Sequence, residues 1–583
     1  MKPQADTEKA LLSGYEASSG LEEQAAASPQ SPLGSPHSAR RWIAAGLLSI
    51  GGLALIFGGV SKLPMPSCMH SMHSSSSGLY NATGDSSIDP GQVFLSIPST
   101  DRLRENLKYY TSGTHVAGIN RTQAVYTRDY FQAQGINAEI VEYYPWLNYP
   151  VSQRVALFNE STQEVVFEAG LKEDVIPGDP ASDDPNNLPA FHGYSADGNL
   201  QKLGWRPRRS IILASWDAEE YSLIGSTEWV EENIDWLRAN AVAYVNVDGA
   251  VGGSQFAVGA SPLFKDLLHE VTKQVPYPNS NETVYDTWLR NSINFPMGAS
   301  VTTMKDGAMN VVSAKGKMLR LKPNKKGKKK GKKTLPTVYP LGSGSDFTAF
   351  MAHAGISSID MGFGGKYGSY HSNYDSFKWM SSFVDPDFKL HQAMSRIWGL
   401  LTIRLADDPV LSLNPVSYAK DMKVYIKQLE EHVSSQLDNA KQHKDKDIDA
   451  IIAKKFRHLR ASQRQLLVNA HLVELDKRHL RTVYGEDCQM TGKRRLASCH
   501  KLRKSINDRV SRLERHFIDP EGIPGREWYK HVLVSPGRWM GYGSQTFPAL
   551  AEASEDHEWK KFQQYEKRTA EIIYEAAWFL REV

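Results

Sequence analysis

Two uninterrupted apolar runs constrain this chain more than any other feature: Ser210-Ile-Ile-Leu-Ala-Ser215 and Ala241-Val-Ala-Tyr-Val-Asn-Val247. Each has the length of one strand and no polar alternation, the pattern of a strand buried on both faces. Between them, Ser222 to Leu237 carries a helical pattern. Strand, helix and strand in this order predict an α/β core, which we place over 209–383, with Ser357–Met361 as a shorter strand. From 384 to 583 the periodicity turns helical. Met422, Ile426, Leu429, Val433 and Leu437 make one apolar stripe, and similar stripes recur over Ile451–Leu475 and Glu571–Leu580. Ahead of the core, Thr100–Thr111 and Gln123–Gln134 read as helices, Ala138–Tyr144 and Arg154–Phe158 as strands, and 173–200 as loop.

Both buried runs end on acids. Trp216-Asp217-Ala218-Glu219-Glu220 follows the first, and Asp248 ends the second. The carboxyl ends of strands are where open α/β sheets hold ligands. Glu219 and Glu220, being adjacent on a turn, can point differently, one toward a metal and one toward a proton. With His371, in Ser369-Tyr370-His371-Ser372, they make a hard-ligand set suited to zinc. The bland alternative is a solvated helix N-terminus and a structural loop histidine.

The N-terminal part has a different character. Residues 1–41 are rich in Ser, Ala, Pro and Gln and read as a disordered cytosolic tail. Arg40 and Arg41 precede a charge-free apolar run from Trp42 to Val60, long enough to cross a bilayer, so 42–61 is expected to be a transmembrane helix with the N-terminus in the cytosol. Residues 62–95 then form a stalk. Beyond it lie four Asn-x-Ser/Thr acceptors, Asn81, Asn120, Asn159 and Asn281, consistent with a luminal or external domain. Three cysteines are too few for a disulfide scaffold. Cys488 and Cys499 are close enough to close a small loop in an oxidising compartment, or all three remain free thiols. A net charge of +3 over 583 residues argues against a nucleic-acid binder. The exception is Ala314–Thr334, which holds eleven Lys/Arg and no acid and is expected to be a disordered loop.

The stretch Leu203–Ala250, the segment Leu341-Gly-Ser-Gly-Ser-Asp346, the Tyr370-His371-Ser372 segment and Phe517-Ile-Asp-Pro-Glu-Gly522 together resemble the glutamate carboxypeptidase II and transferrin-receptor family, in its fungal vacuolar-sorting-linked branch. The resemblance implies an α/β zinc-exopeptidase-like sheet flanked by helices over 96–383, and an all-α dimerisation domain over 384–583. It implies Glu219 as the general base, Tyr370 as the oxyanion hydroxyl, Glu220 and His371 as ligands of one zinc and Asp248 of another. Ser343 and Gly344 would face the substrate. It also implies a peptide substrate, a homodimer, and a single-pass membrane protein of the vacuole, endosome, Golgi or cell surface.

The chain departs from that pattern near 198–202. Phe191-His-Gly-Tyr-Ser-Ala-Asp197 runs almost directly into Leu203-Gly-Trp205. The resemblance places a protease-associated domain, a strand, a zinc histidine, the zinc-bridging aspartate and a helix between those points. Two zincs are usual in the family, and one or none is expected here. The alternative is a non-catalytic receptor or sorting adaptor. The arginines that read glutamate in the family fall at Asp360 and Gly362, and neither can grip a carboxylate. Glu228 and Glu231, which match calcium ligands in relatives, are expected to be plain exposed helix acids.

Overall fold

The computed structural model describes residues 54–58, 89–112, 117–118, 121–147, 156–159, 162, 164–168, 174–179, 207–292, 300–305, 308–312, 318–321, 335–365, 367–440, 456–488, 492–539 and 542–581. The core is a five-stranded mixed sheet. Its strands are β1 (Ala54–Gly58), β2 (Ser210–Ala214), β3 (Ala241–Asn246), β4 (Gln255–Ala260) and β5 (Ser358–Gly364), in the order β2-β1-β3-β5-β4. β3 and β5 run parallel, with Ile359 opposite Val245, while β5 and β4 run antiparallel. Every residue of β3 is buried, as its unbroken apolar run requires. The stretch after β2 divides into two helices, Ile224–Glu232 and Ile234–Asn240.

β1 is the main departure from expectation. It lies within the run expected to cross a membrane as a helix, yet it is a strand, antiparallel to both β2 and β3. Trp42–Leu53 and the residues after Gly58 lie outside the described residues. The physical reason is a vacancy: β2 and β3 present facing rows of backbone donors and acceptors with room for one strand between them. Ala-Leu-Ile-Phe-Gly is uncharged, apolar and fits that row. Among the described residues no helix is long and apolar enough to cross a membrane. β2 stays half-exposed from Ile211 to Ala214.

Smaller corrections follow the same logic. Ala138–Tyr144 forms no strand, whereas Ala156–Phe158 pairs with Val165–Glu168. Part of the basic insert is ordered: Met318–Leu321 pairs with Ala308–Val312, which pairs with Ser300–Lys305. Its backbone bonds to a neighbour satisfy Met318–Leu321 despite the basic composition around it, and 322–334 lie outside the described residues. The C-terminal third is helical as expected. Met422, Ile426, Leu429 and Val433 are buried within helix Pro415–Ala440, so that stripe is core. Helix Lys389–Asp407 covers the sheet, and its Trp398 indole donates to the Val245 carbonyl at 3.2 Å. One continuous apolar core therefore runs from the sheet into the helices. Cys488 and Cys499 form a buried disulfide, and Cys68 lies outside the described residues.

Candidate active-site cleft

The site begins where β2 ends. The turn after it is built on left-handed backbone at non-glycine residues, with φ of 57° at Ala218, 76° at Ser222 and 61° at Leu223. Such conformations cost energy and persist only where the surroundings enforce them. Here the Asp217 carboxylate accepts from the Ala218 N–H at 2.8 Å and from the distant Gly118 N–H at 2.9 Å. Gly225 closes the turn, since a Cβ there would meet the Asp217 carbonyl oxygen at 2.2 Å. Held this way, Glu219 is buried and Glu220 partly so. His371 arrives on a second left-handed residue, φ 57°, with its ring stacked on Tyr370 at 3.8 Å between centroids.

These elements meet in one cavity of about 720 Å³, lined by Glu219, Glu220, Asp248, Ser343, Gly344, Tyr370 and His371. All seven residues expected at the site therefore share one cleft. The cleft also has walls that the sequence did not signal. Tyr529 and Tyr542 come from the helical third, and Tyr542 is fixed by its carbonyl, which accepts from the Ser343 N–H at 3.2 Å. Nothing in an exposed loop nearly two hundred residues away marks it as a cleft residue. Asp360 and Asp375 add two more carboxylates.

Behind the cleft a buried relay orders the acids. Trp216 Nε1 donates to the Tyr244 hydroxyl at 3.1 Å, and that hydroxyl donates to Asn246 Oδ1 at 3.0 Å. Asn246 Nδ2 donates to Ser345 Oγ at 2.8 Å and to Asp360 Oδ1 at 3.0 Å. Crowded burial shifts the acids strongly. Burial, then the charges of Asp248, Asp346, Glu220 and Asp360, pushes Glu219 up to about 10. Burial and the Asp360 charge push Asp248 well above the carboxylate range, and burial raises Asp346 to about 7. Glu220 rises less, because His371 beside it offsets its burial. Burial, aided by a bond to Tyr542, holds the Tyr370 hydroxyl in its protonated form.

Glu220 and His371, which the resemblance assigns to one zinc, face each other in the cleft. Glu220 Oε1 and His371 Nε2 stand 2.9 Å apart, close enough to bind each other. Among the described residues no group of three or more His, Cys, Asp or Glu side chains is placed to hold a metal ion. Asp248 lines the same cavity without completing a set. Glu228 and Glu231 are exposed on their helix, as expected, and Glu231 accepts from the Trp528 indole at 2.6 Å.

Comparison with known proteins gives two family matches and several relatives. The description "Peptidase family M28" matches residues 198–297, and "Transferrin receptor-like dimerisation domain" matches 454–581. The chain is 35% identical over 355 residues to "Probable glutamate carboxypeptidase LAMP1" of Arabidopsis thaliana, covering 61% of this chain and 41% of that protein. It is 32% identical over 444 residues to "Probable glutamate carboxypeptidase" of Arthroderma benhamiae, covering 74% and 51%. It is 26% identical over 368 residues to "Vacuolar protein sorting-associated protein 70" of Saccharomyces cerevisiae, covering 61% and 39%. The chain thus spans about half the length, or less, of these relatives. It joins a peptidase family M28 segment to a transferrin receptor-like dimerisation domain, and it is homologous to glutamate carboxypeptidases and to the yeast sorting protein.

Proposed function

We propose that this chain is a peptide-binding member of a zinc-exopeptidase lineage whose metal centre is incomplete, so that it binds peptides in the cleft but hydrolyses them poorly or not at all. The observation that carries this reading is the pairing of Glu220 with His371 beside an Asp248 that completes no ligand set. Peptide recognition by this chain's own groups survives the loss. Ser343 and Gly344 form one wall against Tyr542, and Tyr370 offers a protonated hydroxyl to a peptide carbonyl. Glu219, protonated in the absence of a nearby cation, would donate rather than accept a hydrogen bond. Purified chain should carry at most one zinc and release amino acids from dipeptides no faster than Glu219→Gln. Two zincs per chain, with hydrolysis abolished in that variant, would overturn the reading.

The compartment we propose is the secretory or vacuolar pathway, supported by the Cys488–Cys499 disulfide and by the yeast sorting relative. Asn159 and Asn281 are exposed acceptors, while Asn81 and Asn120 lie outside the described residues. Endoglycosidase is expected to speed the migration of the chain expressed in a eukaryotic host, and Asn159→Gln with Asn281→Gln should shrink that shift. An unchanged shift in the double variant would count against both acceptors. A membrane anchor over Trp42–Val60 would have to withdraw Ala54–Gly58 from the sheet, so anchored and sheet-inserted forms exclude each other.

The partner we propose for the helical part is a second copy. Helix Arg457–His479 turns Val468, Leu472 and Leu475, spaced i, i+4, i+7, to the outside at 56%, 41% and 52% exposure. That stripe lies inside the segment matching the dimerisation domain. Leu472→Asp should convert a dimer to a monomer in sedimentation velocity at micromolar concentration. A dimer unaffected by that change would move the interface elsewhere.

A further inference from the structure

The cleft has a charge preference built into its wall. Its lining carries five carboxylates and five tyrosine rings, and among the described residues no lysine or arginine. Carboxylates interleaved with aromatic faces are the surroundings in which an ammonium or guanidinium is favourable, since the ring quadrupole and the anion both attract it. An acidic side chain placed beside Asp360 would meet like charge, with no lysine or arginine among the described lining residues to offset it.

Asp360 is not itself among the residues that the resemblance assigns to a metal, although it neighbours one of them, Asp248. It sits on β5 with its carboxylate oriented by neutral donors: Asn246 Nδ2 at 3.0 Å and the backbone N–H groups of Asp248 and Met361. Asn246 is itself wholly buried and locked by its bonds to Ser345 and Tyr244, so the carboxylate cannot swing away. Two residues on, the backbone forbids any rescue of anion binding. A Cβ on Gly362 would lie 2.2 Å from the Gly249 carbonyl oxygen, so no side chain, and hence no cation, fits there.

We infer that the cleft selects peptides that present a cationic group, an ammonium or guanidinium, to Asp360 and disfavours peptides ending in an acidic residue. The inference rests on the reading of the cleft as a peptide site. The same chemistry is offered by a free peptide N-terminus and by a lysine or arginine side chain.

Isothermal titration of the purified full-length chain separates these cases with three amidated probes: Ala-Ala amide, N-acetyl-Ala-Lys amide and N-acetyl-Ala-Glu amide. The better cationic probe should bind at least about tenfold more tightly than the Glu probe. Preference for Ala-Ala amide assigns the site to a peptide N-terminus, and preference for the Lys probe assigns it to a basic side chain. Asp360→Asn should erase most of that discrimination. As a check that needs no variant, added salt should weaken the cationic probe and leave N-acetyl-Ala-Ala amide unchanged. Failure of both cationic probes, Ala-Ala amide and the Lys probe, to bind the wild-type chain more tightly than the Glu probe, or full discrimination retained by Asp360→Asn, overturns the inference while leaving the peptide-site reading intact. Failure of every probe to bind overturns that reading and the inference with it.

Discussion

Supplying, from a glutamate carboxypeptidase relative, the block that the resemblance places between Asp197 and Leu203 is expected to raise dipeptide hydrolysis by on the order of a thousandfold or more over the present chain. Two divalent cations held close together repel strongly, and an anion bridging them makes the pair tolerable. By resemblance, the block carries that bridging aspartate and a zinc histidine. The cleft already holds the remaining parts: Glu219, Glu220, Asp248, Tyr370 and His371 line one cavity. Its acids are held in raised-pKa states by burial and mutual repulsion, and cations placed among them would return them to their charged forms. If the graft's strand takes the place between β2 and β3, β1 must leave it, since Ala54–Gly58 pairs with both. Zinc content and turnover are measured together on the graft and on its Glu219→Gln form. Comparable hydrolysis by the ungrafted chain, or a graft that binds two zincs and stays inactive, would refute the account of what is missing.

Replacing Glu514 with alanine is expected to be the most damaging single change to the fold, costing about 3–5 kcal/mol. Glu514 is completely buried on the short helix Leu513–Phe517. Its carboxylate accepts from the Tyr418 hydroxyl at 2.6 Å, from His531 Nε2 at 2.9 Å and from Ser357 Oγ at 3.2 Å. The proton on His531 is placed by its other nitrogen, since Nδ1 lies 3.2 Å from the N–H groups of both Leu533 and Val534 and must accept from them. One side chain therefore ties together the strand entry at Ser357, helix Pro415–Ala440, and the segment leading to Val534–Pro536. Alanine would strand three buried donors at once. Glutamine keeps the volume and one acceptor but turns N–H groups toward donors, at about 1–3 kcal/mol. Thermal unfolding should rank wild type above Glu514→Gln and Glu514→Gln above Glu514→Ala. An alanine variant that melts with the wild type would show that the network contributes nothing to stability.

Much of the cleft was legible because its residues sit at positions with local signatures. Glu219 and Asp248 close two apolar runs whose unbroken character already demands burial, and strand ends in such sheets point at ligands. The helical third was legible from stripes such as Met422 to Val433, which the structure buries. Other parts carried no local mark. Tyr542 sits in an exposed loop and lines the cleft only because Ser343 binds its backbone. Asp360 was visible as a residue that cannot read a carboxylate, but its orientation depends on Asn246 across the sheet.

The sequence by itself determined which segments must be buried, because continuous apolar runs and helical stripes have only one favourable solvent, the interior. It also determined the acids and the histidine available to the site, and how directly Asp197 runs into Leu203. Only the tertiary structure decided where the run around Ala54–Gly58 goes. Its composition suits a bilayer and a sheet equally, and hydropathy does not encode the backbone hydrogen bonds by which Ala54–Gly58 pairs with β2 and β3. Only the tertiary structure, too, set the charge of the cleft, because the carboxylates and tyrosines that line it come from segments as far apart as Glu219 and Tyr542 and are neighbours through packing alone.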